Sequence, residues 1–494
     1  MLFNSLQYLV FLIAMAVGYF VLPHRFRWIL LLGGSYFFYM CWNAQYALLM
    51  LTSTFITYMS GIMISRANEI PDMRTRSSRK KLFVFISFFL NLTILFFFKY
   101  YRFFAASLES LTELLHTAMK MPDLNVLLPV GISFYTFQAL SYTMDVYRGD
   151  VKATTHFGKY ALFVSFFPQL VAGPIERTPN LLKQFDEVHS FDYDRARDGV
   201  LLILWGLFKK TVIADRLAVL VNAVYNHPGN YHGSEFLVAT IFFAIQIYCD
   251  FSAYSDIAIG SANILGFRLM CNFNRPYFSK SIAEFWRRWH ISLSTWFKDY
   301  LYFPLGGSKV GKIRHLLNLL IVFVVSGLWH GANWTFVIWG FLHGIYQVIG
   351  VATRKLREQF KLLIGLTPAS VSAKLIGGAA TAALVLFAWI FFRANNLADA
   401  LHIIRGIATI NPGGLLGSGL LRLGLDQYEM IIAIGSIALL FIVEYFQRNG
   451  DIRCKLKKEF FVIRWAVYLF LMLSIILTGF YGDLNAAQFI YFQF

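Results

Sequence analysis

The stretch "SGLWHGANWTFVIWGFLHG", Ser326–Gly344, lies inside an apolar run from about Leu317 to Gly350. A run of that length is sufficient to cross a hydrocarbon core, which needs about 20 apolar residues in a helix. Yet it carries two imidazoles and an amide, His330, His343 and Asn333, where lipid-facing or core-packed side chains are expected. Polar groups are costly in hydrocarbon, so a membrane segment that keeps them points to a task for them.

Composition agrees with the membrane reading of this run. The chain has 494 residues, of which 57% are hydrophobic, 18% aromatic and 14% charged, with a mean hydropathy of +0.56. A soluble domain carries about 25% charged residues. Apolar stretches recur from Leu2–Leu22 to Val462–Tyr481. They predict an all-α polytopic membrane protein with roughly ten to twelve spans, some short enough to be re-entrant, supplemented by interfacial helices. The chain reads as one membrane-embedded domain over 1–494, with no internal repeat and no soluble module.

Charge sets the expected orientation. The first apolar segment is followed by His24-Arg25-Phe26-Arg27 rather than by a small-residue cleavage site, so it reads as a retained span with the amino terminus outside. Clusters at 74–81, 148–159, 268–288, 354–361 and 448–458 then face the cytoplasm. Lys209 and Lys210 fit poorly, because they fall in the middle of the apolar segment Val200–Val224. The net charge of +17 resides in short loops between spans, which anionic membrane lipid and topology explain, so nucleic-acid binding is set aside. The four cysteines show no paired spacing, and neither a disulfide framework nor a metal site is indicated.

Five clusters carry the polar chemistry. In "PVGISFYTFQALSYTMDVYRG", Pro129–Gly149, Tyr135, Gln138, Tyr142 and Asp145 recur at helical spacing, as a hydrogen-bonding wall or a cavity lining to which Tyr135 and Gln138 contribute substrate contacts. In "FFPQLVAGPIER", Phe166–Arg177, two prolines enforce a bend. "YCDFSAYSDIAIG", Tyr248–Gly260, buries Asp250 and Asp256, either paired with an arginine or orienting a catalytic histidine and lining the site.

"SIAEFWRRWHISLSTWFKDYLYFPLGG", Ser281–Gly307, reads as one basic, tryptophan-rich amphipathic helix on the cytoplasmic interface. Phe285, Trp289, Ser292 and Trp296 form one stripe, Arg287, His290, Ser294 and Lys298 another, and Glu284 and Arg288 an i,i+4 pair. The following "GGSKVGKI" lacks the hydroxyl and the preceding strand of a phosphate loop. The fifth cluster is the opening stretch, where His330 and Asn333 are three apart, on one face of one helix, between Trp329 and Trp334. A desolvated imidazole stays neutral, the form that accepts a proton, so His330 is either a catalytic base or part of a proton or substrate pathway in a transporter.

These five motifs in this order resemble the membrane-bound O-acyltransferase family, nearest to its branch of alginate, polysaccharide and peptidoglycan O-acetyltransferases, over about 1–394. The resemblance implies helices packed around a central tunnel, with the motif-bearing catalytic part at about 126–350. It implies His330 at the centre of acyl transfer and His290 at the second signature position, where many relatives outside the branch have asparagine. On that reading His330 is the general base on an acceptor hydroxyl. Asn333, Asp250, Tyr135, Gln138, Ser292 and Trp329 contact the substrates, and Arg287, Arg288 and Lys298 suit the phosphates of the donor. No bound cofactor is implied. The donor is acetyl-CoA or an acyl-carrier thioester, the acceptor an extracytoplasmic polysaccharide, and the partner an extracytoplasmic hydrolase-like acetyltransferase. The setting implied is the bacterial cytoplasmic membrane. D-alanyl transfer to a cell-wall polymer and transport are the competing readings.

The orientation is testable directly. A reporter fused after Arg79 should be cytoplasmic and one fused within Asn226–His232 extracytoplasmic; the reverse pattern overturns the charge argument.

Overall fold

The computed structural model describes residues 1–117, 119–124, 126–171, 173–367, 370–409, 423–450, 452–481 and 489–490. It is helical throughout, with no strand among the described residues. That follows from the solvent, since a helix satisfies its own backbone N–H and C=O groups where no water is present. Among the described residues, eight helices are long and apolar enough to cross a membrane: Gln45–Ala67, Met73–Leu114, Gly233–Leu265, Lys312–His330, Trp334–Ala352, Val371–Arg393, Gln427–Gln447 and Phe461–Thr478. Other apolar segments of the sequence form shorter helices, among them Leu6–Val21, His24–Met40, Ile132–Arg148 and Phe157–Ser165. After Ser165 the helix stops ahead of Pro168, as the proline-bracketed motif predicts.

The chain forms two compact units, 1–200 with 258–270, and 201–257 with 271–494. In the first, Gln45–Ala67 packs against Met73–Leu95 and Ile132–Arg148 through small and hydroxylated residues. Ser53 donates to Asn91 at 2.5 Å, the Ser87 and Thr143 hydroxyls meet at 3.0 Å, and Tyr160 donates to Thr57 at 2.7 Å. The ring of Tyr142 lies where a Cβ on Gly61 would stand. Such contacts replace the hydrophobic drive that helices lose in lipid. Tyr135 and Gln138 are buried in this unit, and Gln138 donates to the Phe163 carbonyl at 2.6 Å.

The second unit is organised around buried charge. Lys209 and Lys210 sit in a π-helical turn, Phe208–Ala214, within the long helical run 193–226. The Lys209 ammonium meets Asp256 at 2.7 Å and the Ser252 hydroxyl at 2.7 Å. Lys210 meets Asp250 at 2.7 Å and Asp215 at 2.8 Å. Arg216 pairs with Glu429 and donates to the Thr478 carbonyl at 2.5 Å. The other oxygen of Asp250 accepts the backbone N–H of Ile490 at 2.7 Å. The arginine partner expected for the buried aspartates is therefore a pair of lysines. The two cations that fitted no orientation along Val200–Val224 are neutralised inside the protein instead.

Breaking a buried pair by removing one partner costs about 3–5 kcal/mol, because a desolvated charge is left behind. Lys210→Met should therefore lower the thermal midpoint of the solubilised protein. Adding Asp215→Asn and Asp250→Asn to that variant should recover part of the loss. An unchanged midpoint for Lys210→Met would show that the cluster is not structural.

Candidate active site

The run Leu317–Gly350 is not one helix. Lys312–His330 ends at the histidine, Gly331 is fully extended at φ −161° and ψ 151°, and Trp334–Ala352 begins a new helix. Asn333 is its N-cap, accepting the Thr335 N–H on Oδ1 at 3.0 Å, while its amide nitrogen donates to the Asn395 carbonyl at 3.1 Å. His330 and Asn333 thus share no helix face, and Asn333 is engaged in holding the turn. The two helices close against each other through glycine: a Cβ on Gly327 would strike the Phe336 carbonyl, and one on Gly340 the Phe323 carbonyl. His330 occupies a helix C-terminus, where the unpaired carbonyls and the dipole favour a cationic imidazole.

The segment Ser281–Gly307 also departs from its expected form. Ile282–Arg288 is a short helix, Trp289 closes it, His290 stands in the left-handed region at φ 43°, and Ile291–Phe297 follows. Phe285, Trp289, Ser292 and Trp296 are all buried, as is His290 itself, so this is an interior segment and not an interfacial helix. A left-handed backbone on a residue other than glycine is strained, and such strain concentrates at functional sites.

Asn272 explains how His290 is held. Its side-chain oxygen lies 3.2 Å from the backbone N–H of Ser292 and 2.9 Å from the Ser292 hydroxyl. Since a backbone N–H can only donate, that atom is the amide oxygen and not the nitrogen. His290 Nδ1, 3.1 Å from the same oxygen, must then carry the proton and donate it. The lone pair is left on Nε2. Burial holds the His290 imidazole well below its usual range, so it stays neutral at physiological pH. A buried amide, 0% exposed, thereby fixes the basic nitrogen of a buried histidine. The Asn272 amide nitrogen donates in turn to Ser255 at 3.3 Å.

The two imidazoles stand together, with ring centroids 6.3 Å apart. Trp329 lies against both, at 5.9 Å from His290 and 5.0 Å from His330. Phe251 meets His290 edge-on at 4.7 Å, and Trp339 and Phe392 meet His330 at 5.0 and 5.5 Å. His343, the other imidazole of the opening stretch, accepts the Trp286 indole N–H on Nδ1 at 3.2 Å. It is part of the wall.

Beside this aromatic enclosure lies a cavity of about 550 Å³ whose lining includes Lys209, Tyr248, Ser252, Asp256, Phe273 and Glu444. Phe273 is shared, because its other side stacks on His290 with centroids 6.5 Å apart.

The remaining candidates divide. Ser292 anchors His290 through Asn272, and Asp250 is held by Lys210, one residue before Phe251. Arg288 pairs with Glu284 at 2.7 Å, the i,i+4 pair read from the sequence, while Arg287 is exposed. Tyr135 and Gln138 belong to the first unit. Asn272 was missed in the sequence because it lies between elements, where no periodicity marks it.

Comparison with known proteins finds relatives over most of the chain. The profile of the membrane-bound O-acyltransferase family matches residues 151–364. The chain is similar to the probable alginate O-acetylase AlgI of Pseudomonas aeruginosa, 37% identical over 446 residues, covering 90% of this chain and 80% of the relative. It is similar to the peptidoglycan O-acetyltransferase of Helicobacter pylori, 32% identical over 479 residues and covering 90% and 86%. A shorter likeness, 29% over 236 residues and 45% and 57% of the two chains, links it to the teichoic acid D-alanyltransferase of Streptococcus thermophilus.

The tautomer argument predicts a nitrogen NMR signature. His290 should show a protonated Nδ1 and an unprotonated Nε2, and Asn272→Ala should mix the two forms. A single unchanged tautomer in the variant would remove Asn272 from this role.

Proposed function

We propose a reaction course from one premise: the chain belongs to the membrane-bound O-acyltransferase family and is a multi-pass membrane O-acyltransferase. The reading is transfer of an acetyl group from a thioester to a hydroxyl of an extracytoplasmic bacterial polysaccharide. The observation that carries it is the pair of buried imidazoles, one with its basic nitrogen fixed, beside a cavity with both apolar and polar walls.

His330 is the general base. As the acceptor hydroxyl attacks the thioester carbonyl, its proton passes to His330, and the C–O bond forms. The tetrahedral intermediate then collapses, the C–S bond breaks, and the departing thiolate takes the proton from the imidazolium. An ester and a thiol leave, and the histidine returns to its neutral state. The C-terminal end of Lys312–His330 favours the transient cation. His290 offers Nε2 as an oriented acceptor to a second hydroxyl of the acceptor sugar, one that does not attack. The surrounding tryptophans and phenylalanines exclude water, which would otherwise consume the thioester.

The donor is acetyl-CoA or an acyl-carrier thioester, its arm lying in the 550 Å³ cavity as far as Phe273; Arg287, Arg288 and Lys298, which are not among the lining residues, are the candidates for its phosphates. Acetyl is preferred to D-alanyl because the O-acetylating relatives match 90% of the chain and the D-alanyltransferase 45%. An extracytoplasmic hydrolase-like partner receives or completes the transfer. The place of action is the bacterial cytoplasmic membrane. Transport is not required by this reading, since the family is one of transferases.

Reconstituted protein given labelled acetyl donor, polysaccharide and the candidate partner tests the chemistry. His330→Ala should remain inserted and folded while transfer falls about 10²–10⁴-fold, the usual effect of losing a general base. His290→Ala should be severe as well. Near-normal transfer by the His330→Ala protein would overturn the assignment.

A further inference from the structure

Away from the histidines, within the second unit, a cavity of about 930 Å³ opens between the ends of Trp334–Ala352 and Val371–Arg393 and the turn at Lys280. Its lining joins two kinds of residue. One is apolar: Ile349, Val351, Ile376, Ala380 and Leu384. The other is basic: Lys280, His315, Arg354 and Arg357, with Glu358 as the single carboxylate among the lining residues. Glu358 is taken by Arg354 at 2.9 Å. Arg357 uses one of its five N–H donors on the Gly350 carbonyl, at 2.5 Å. Lys280 is brought to this rim by a close backbone approach: its carbonyl lies 2.9 Å from where a Cβ on Gly377 would stand.

A second observation comes from the helix that borders the cavity. Arg354–Leu363 presents Leu356, Phe360 and Leu363 as one i, i+4, i+7 stripe, and they are 67%, 60% and 84% exposed. A short basic helix with a bare apolar stripe, joined to a membrane-spanning helix, lies in the plane where headgroups meet acyl chains. The cavity mouth therefore opens at headgroup depth, and its apolar wall continues toward the hydrocarbon along Val371–Arg393.

We propose that this cavity binds an anionic glycerophospholipid. The phosphate sits among Lys280, Arg354 and Arg357, and one acyl chain runs along Ile376, Ala380 and Leu384. The excess of three cations over one carboxylate selects an anionic headgroup over a zwitterionic one, and the apolar wall selects a lipid over a soluble phosphate. The site is separate from the acyl-transfer chemistry and does not depend on it.

The test is lipid retention by the purified full-length protein, released from micelles containing phosphatidylglycerol and phosphatidylcholine and weighed by native mass spectrometry. The wild type should keep phosphatidylglycerol preferentially. Each basic residue near an anionic lipid strengthens association by about fivefold, so Lys280→Ala with Arg357→Ala should lower that preference about 25-fold. Ala380→Trp, which fills the apolar side without altering charge, should expel the lipid too. All three residues are exposed, so the variants should keep the wild-type thermal midpoint. Equal phosphatidylglycerol retention by wild type and variants overturns the proposal. So does displacement of the lipid by millimolar inorganic phosphate or coenzyme A, which would make the site one for soluble phosphates.

Discussion

A cation buried in a protein has little water to solvate it and must find a carboxylate, and in this protein three cations, two lysines and an arginine, do so within one stretch of helix. Lys209, Lys210 and Arg216 bind Asp256, Asp250 with Asp215, and Glu429. These contacts fix the helical run 193–226 to Gly233–Leu265 and to Gln427–Phe446. The rotation of Gly233–Leu265 is thereby set, and with it the two side chains it offers to the site. Phe251, next to Asp250, takes the edge of His290, and Ser255 receives the amide of Asn272. A buried electrostatic requirement on one side of the helix places an uncharged, oriented histidine on the other.

The site itself is built on the opposite principle. Its histidines are buried and enclosed by indole and phenyl rings. Hydrogen bonds choose the orientation of two of the imidazoles, through Asn272 for His290 and through Trp286 for His343. A histidine at a helix end and a histidine with a fixed tautomer differ in what they favour, the first a proton taken up and the second a lone pair offered.

The sequence carries the membrane class plainly, because apolar length is a direct consequence of the solvent. It also singles out His330 and His290, which the structure brings side by side. The interruption at 331–333 is hidden by hydropathy, since Gly331, Ala332 and Trp334 keep the average apolar while Gly331 and Asn333 reshape the backbone. The pattern glycine, any residue, asparagine before an aromatic run was the available signal, a helix end followed by a cap. The kink at His290 has no such mark, because a left-handed histidine depends on what surrounds it. Asn272 and the lysine partners of the aspartates were illegible for a related reason. Each is defined by a residue distant in the chain, and periodicity reports only on neighbours.

The helix break at Gly331 also fixes depth. From Lys312 to His330 there are 19 residues of helix, and at 1.5 Å each the histidine stands about 28 Å along the axis from the basic end, close to the whole hydrocarbon thickness of about 30 Å. The next helix returns from that point toward Arg354. The hairpin is therefore a ruler with its imidazole at the far mark. On the course proposed above, an acyl group carried on a slender arm from the basic side completes most of a membrane crossing by the time its carbonyl reaches the histidine. On that course translocation needs no alternating gate and no moving domain; it is a matter of the length of the arm.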